Sequence, residues 1–157
     1  MSSAAAVYDS SALLEKALDN FTALVDDTDY DGVLEMLGIG KFHFLRRKQM
    51  RIEWGALRMA LWRLALARSF PENADSMFDE FLKRYAILHP DKQSAQMVAR
   101  AREYWGMLLP GGDADFQAAA RHLVSFLEID PAEARSLILK LALFIRSDYK
   151  FIFERLI

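Results

Sequence analysis

Apolar side chains recur every three to four positions along almost the whole chain, and the breaks between such runs carry glycine, proline, aspartate or serine. That period puts the apolar residues of each run on one face of an α-helix. No run alternates with the two-residue period of a strand, and no internal repeat or low-complexity stretch is present. The pattern predicts an all-α fold: a single compact domain of six to seven helices, in an orthogonal or bundle-like array. The 157 residues suit one domain. A chain of this size buries enough surface to hold together without disulfides or metal.

The first predicted helix, Ser11 to Asp26, carries Leu14, Ala17, Leu18, Phe21, Leu24 and Val25 as one stripe; residues 1–10 are expected to be disordered. A short helix at Asp31–Leu37 ends at Gly38-Ile39-Gly40, glycine being the usual residue just past a helix end. The third, Lys41–Arg68, has two stripes: Leu45, Ile52, Ala56 and Met59 on one side, Met50, Trp54, Leu57, Leu61 and Leu64 on another. Two stripes require two neighbours, which makes this a central helix. Gly55 in its interior costs about 1 kcal/mol against alanine, and a tight helix crossing would offset that.

A fourth helix is expected at Ala74–Leu88 and a fifth at Lys92–Leu109. Pro110-Gly111-Gly112 is the strongest loop signal and a candidate hinge. A sixth helix follows Asp113 or Asp115. The last opens at Asp130-Pro131-Ala132-Glu133, a cap, a first-turn proline and a capping-box acid in order. It runs through LILKLALFI (residues 137–145), apolar on nearly all sides, and is expected to be a buried, central helix. Whether Ser147-Asp148 starts a separate helix is open from sequence.

Charge is unevenly divided. Residues 1–40 hold eight acids and one base; residues 41–68 hold eight bases and one acid. Three readings of the basic block compete. With Trp54 and Trp62 it could read nucleic acid. As a basic amphipathic helix it could lie on a membrane surface; its opening, GIGKF, resembles the start of the magainin antimicrobial peptides over five residues. Or it pairs with the acidic segment before it. Arg58, Arg63 and Arg68 scatter around the helix at 100° per residue, which favours pairing. The net charge of −2 gives little steering toward phosphate, so nucleic acid is not the expected partner. Arg47, Lys48 and Arg51 do cluster, and they are candidate partner-binding residues.

Chemistry is sparse. The absence of cysteine excludes disulfides, thiolate metal sites and a cysteine nucleophile, and fits a reducing compartment. His43, His89 and His122 have no partners at metal spacing, and neither a phosphate loop nor a nucleophile elbow is present. No catalytic, cofactor or metal residue is assigned. The start, MSSAAAVYDSS, lacks the basic and apolar regions of a secretory signal, and no run approaches the ~20 apolar residues of a spanning helix. A soluble, cytoplasmic protein is expected. Apolar residues form 53% of the chain. That reads as a large core, with some share for a subunit or partner interface.

One motif stands apart. FLKRYAILHPDKQSAQMVARAREYWGML (residues 81–108) resembles the middle of a J-domain, in which a helix ends at His-Pro-Asp and a second returns antiparallel beside it. The resemblance covers 28 residues and implies that His89, Pro90 and Asp91 contact a heat-shock chaperone, with Phe81 and Glu103-Tyr104 near family positions. Arg84 and Tyr85 stand where the family has leucine and alanine, and the preceding helix is acidic rather than basic. Local punctuation accounts for the same residues: histidine suits a helix C-terminus, proline ends the helix, and aspartate caps the next. The expected function is a non-catalytic protein–protein interaction or small regulatory or structural module, acting on a protein partner or by self-association. The alternatives are a J-domain-like co-chaperone, or a helical enzyme or small-molecule binder with an unrecognised site.

Overall fold

A computed structural model describes residues 2–157, with side chains from Ser11 onward. The described residues form seven α-helices and no strand: α1 (Ser2–Asp26), α2 (Tyr30–Met36), α3 (Phe44–Ser69), α4 (Ala74–Leu88), α5 (Lys92–Leu108), α6 (Gln117–Val124) and α7 (Pro131–Glu154). α1 begins at Ser2 rather than at the expected Ser11; residue 1 and the side chains of residues 1–10 lie outside the described set.

Helix starts follow the caps written in the sequence. Asp29, Asp91 and Asp130 each accept backbone N–H bonds at the first turns of α2, α5 and α7, and Pro131 opens α7. Ser147-Asp148 does not interrupt α7, which is one helix to Glu154. Pro110-Gly111-Gly112 forms the turn that closes α5, where the Gly112 N–H donates to the Leu108 carbonyl.

α3 is the axis. Every residue from Ile52 to Leu66 is buried, and each of the other six helices packs on it. α4 and α5 form an antiparallel hairpin through His89-Pro90-Asp91, tied by Arg102–Asp79. α5 runs beside α3 in the same direction, with Arg100 on Glu53 and, further along, Trp105 under the Arg63 guanidinium. Both helices therefore begin at the same end of the molecule. Gly55 faces α5, where the tip of the Met97 side chain lies over it: a Cβ there would come within 2.6 Å of that side chain. The aromatic centre is Trp62, stacked on Phe21 at 4.6 Å with Phe81 against both rings.

Two expectations need correction. α7 is not a central, fully buried helix. It packs through Leu141, Ile145, Tyr149 and Ile152 and leaves Leu139 and Leu143 open to solvent. A helix apolar all round still offers one stripe to a single packing surface, and α3 already fills the centre. Leu45, assigned to an α3 core stripe, is also exposed, because the first turns of α3 extend beyond its neighbours.

The one-sided packing of α7 is testable with two leucines on the same helix. Leu141→Ala should cost about 2–5 kcal/mol, and Leu143→Ala should stay within about 0.5 kcal/mol, both by chemical denaturation. Equal losses would return α7 to the centre of the fold.

Candidate functional site

The sequence builds an exposed corner where α2 meets α3. Gly38 adopts a φ of +69°, which lets the chain reverse after α2. The Ile39 N–H then donates to the Leu34 carbonyl and the Gly38 N–H to that of Glu35, the paired bonds of a Schellman ending. Ile39 is buried and anchors the turn. Arg47 reaches back from the first turns of α3, donating to the Ile39 carbonyl at 3.2 Å and pairing with Asp31 at 3.6 Å. Arg47 thus holds the loop in place and is less available to a partner than Lys48 or Arg51, which are exposed.

Beyond this clamp the chain presents Phe42, Phe44 and Leu45 at 88, 73 and 85% exposure. Burying each of these side chains is worth roughly 1.5–3 kcal/mol, so the isolated chain forgoes a substantial hydrophobic gain here. They line a groove of about 550 Å³ with Arg46 and Gln49. A second groove, of about 650 Å³, has Asp31 and Glu35 on one wall and Lys41 and Arg47 on the other. Among the described residues, Lys41, Arg46, Lys48 and Arg51 have no carboxylate in ion-pair range. The expected pairing of the acidic and basic segments is met at Arg47–Asp31 and nowhere else in that set. The later arginines of α3 turn to distant partners instead: Asp148, Asp75 and Asp113.

His89, Pro90 and Asp91 occupy the same end of the molecule. Gln93, two residues past Asp91, shares a shallow groove with Arg47, Lys48 and Arg51. His89 closes α4 with its ring 4.4 Å from that of Tyr85. Asp91 accepts from the Ser94 N–H at 3.0 Å and hydroxyl at 2.8 Å, and these bonds hold its carboxyl below the usual carboxylate range. Both residues do the work of helix punctuation. Ile87 and Leu88 just before them are exposed.

Two interior polar clusters escaped the sequence reading. In the first, Glu53 is buried and accepts from Arg100 Nε at 3.0 Å and Nη2 at 3.1 Å, and from the Tyr104 hydroxyl at 2.6 Å. Arg100 Nη2 also meets His122 Nε2 at 2.7 Å, where the ring nitrogen accepts. Burial first, then the bond to Glu53 and its charge, push the Tyr104 hydroxyl far above its ordinary range. The cluster links α3, α5 and α6 at the base of a cleft of about 480 Å³. One signal pointed to it: Glu53 is the sole acid in the basic block. In the second, Arg58 forms a two-bond pair with Asp148 at 2.9 and 3.2 Å and donates to Thr28 Oγ1 and the Leu24 carbonyl. It faces a cleft of about 490 Å³ between α1 and α7. Burial raises the Asp148 carboxyl, and Arg58 offsets part of that rise. Among the described residues no group of three or more His, Asp or Glu is placed to hold a metal ion.

No protein-family pattern, curated protein or solved structure matches the chain.

Breaking the first cluster should be costly. Glu53→Gln is expected to lose roughly 3–5 kcal/mol, because it leaves Arg100 without its main counter-charge. Replacing the set together, Glu53→Met with Arg100→Met and Tyr104→Phe, should cost less than that single change, by urea denaturation. For Asp148 the folded carboxyl holds its proton to higher pH than the unfolded one. Stability is therefore lost as pH rises from the ordinary carboxylate range through the raised value. Asp148→Asn should gain on the parent protein across that window; a gap that stays constant with pH would contradict the assignment.

Proposed function

We propose that the chain is a non-catalytic interaction module that docks a protein partner through the α2–α3 corner. One observation carries this reading: three large apolar side chains, Phe42, Phe44 and Leu45, stand exposed beside four bases, Lys41, Arg46, Lys48 and Arg51, that have no acid partner among the described residues. An apolar centre ringed by charge is the composition of a recognition surface. The matching partner surface is apolar with an acidic rim, and the opposed charges fix its register and speed its approach.

The interior supports the same reading. The Glu53 and Arg58 clusters link helices, and although each borders a cleft their charged groups are paired with one another. Nor is any described helix long and apolar enough to cross a membrane.

A photo-crosslinking amino acid in place of Phe44, introduced in the producing cell, should yield a discrete protein adduct. Lys48→Glu with Arg51→Glu should abolish the adduct while shifting stability by no more than about 0.5 kcal/mol, since both side chains are exposed. Absence of an adduct, or one indifferent to the charge reversal, would overturn the reading.

A further inference from the structure

We propose that the partner at this corner is a second copy of the chain, joined about a two-fold axis; the inference rests on the corner being a protein-docking surface. A two-fold interface uses one patch twice, so that patch must be complementary to itself. This one is. Its charged groove opposes an acidic wall, Asp31 and Glu35, to a basic wall that includes Lys41. The phenylalanine-lined groove opens immediately beside it.

A rotation through the corner can set Lys41 and Lys48 of one copy against Asp31 and Glu35 of the other, with Phe42, Phe44 and Leu45 meeting at the centre. Charge is available on both sides. Glu35, Lys41 and Lys48 are exposed and lack ion-pair partners among the described residues, and Asp31 is held only by the 3.6 Å contact with Arg47. The same imbalance holds more widely, with an excess of acid in residues 1–40 and of base in residues 41–68. A foreign acidic protein or an anionic membrane would satisfy the basic wall and the apolar groove. Either would face repulsion from the acidic wall that α2 presents through Asp31 and Glu35. A second copy answers both walls.

Sedimentation of the full chain over a concentration series tests this. The expected result is a shift from one chain mass to two, weakened by added salt as exposed charge pairs are screened. Lys41→Glu with Lys48→Glu, and separately Asp31→Lys with Glu35→Lys, should each weaken the pairing by at least about tenfold. Mixed in equal amounts, the two variants should pair with each other and restore it. Phe44→Ser with Leu45→Ser should abolish pairing in every combination. A single chain mass at all concentrations overturns the proposal, as does a dimer unaffected by the reversals or a mixture that fails to recover. A chain of single mass that co-sediments with phosphatidylserine vesicles overturns it in favour of a lipid surface. A chain of single mass that still gives the Phe44 adduct with a different protein overturns self-pairing alone; loss of every protein adduct removes the docking surface itself.

Discussion

The structure depends on a central helix that is surrounded and yet charged. Between Ile52 and Leu66, α3 has no solvent-facing side, so Glu53, Arg58 and Arg63 must find partners inside the fold. Each finds them on a different neighbour: Glu53 on α5, Arg58 on α7 and the end of α1, Arg63 on α4. The Glu53–Arg100 and Arg58–Asp148 pairs are largely buried and add little net stability, because desolvation offsets most of the attraction, whereas Asp75 meets Arg63 from the exposed surface. Removing one member, however, strands the other. Each pair therefore selects one placement of a neighbouring helix over others that would bury the same apolar area. Arg63 is the least complete of the three. Its Nε and Nη1 have no hydrogen-bond partner among the described residues, and the Trp105 ring, 4.2 Å away, offers its face instead.

This dependence explains what was legible in the sequence and what was not. Helices, caps and turns are local, and the residues that specify them lie within a turn of where they act. The limits of α4 and the starts of α5 and α7 could be read directly for that reason. Gly55 could be read too, since an interior glycine in a long helix points to a close neighbour, here Met97. The partners of the α3 charges could not. Arg58 and Asp148 are 90 residues apart, and Glu53 and Arg100 are 47 apart. A net charge difference between adjacent segments suggested nearby pairing, but among the described residues of the acidic segment only Asp31 pairs with the basic block.

α7 failed for a related reason. A helix apolar on all sides reads as buried, because sequence does not distinguish apolar surface that packs within the chain from apolar surface left over. The enclosed position at the centre is taken by α3, buried throughout from Ile52 to Leu66. α7 then contributes only the stripe through Leu141 and Ile145.

The exposed corner follows from the same arrangement rather than from local accident. α3 is longer than its parallel neighbour α5, 26 residues against 17, and the first turn of α5 meets it only at the level of Arg47, Lys48 and Arg51, so the first turns of α3 overhang. Phe44 and Leu45 lie on those turns and have no helix to pack on. The loop before them cannot fold back over the core, because the left-handed Gly38, the buried Ile39 and the Arg47 bond to the Ile39 carbonyl fix its course. The apolar side chains are thus presented on a rigid support whose far end is the centre of the core. Such a surface loses little conformational freedom when it is covered, and preorganisation of this kind strengthens association without any added contact. The surrounding bases repel one another between like patches, which disfavours random clustering of the phenylalanines and leaves orientations that bring acid to base.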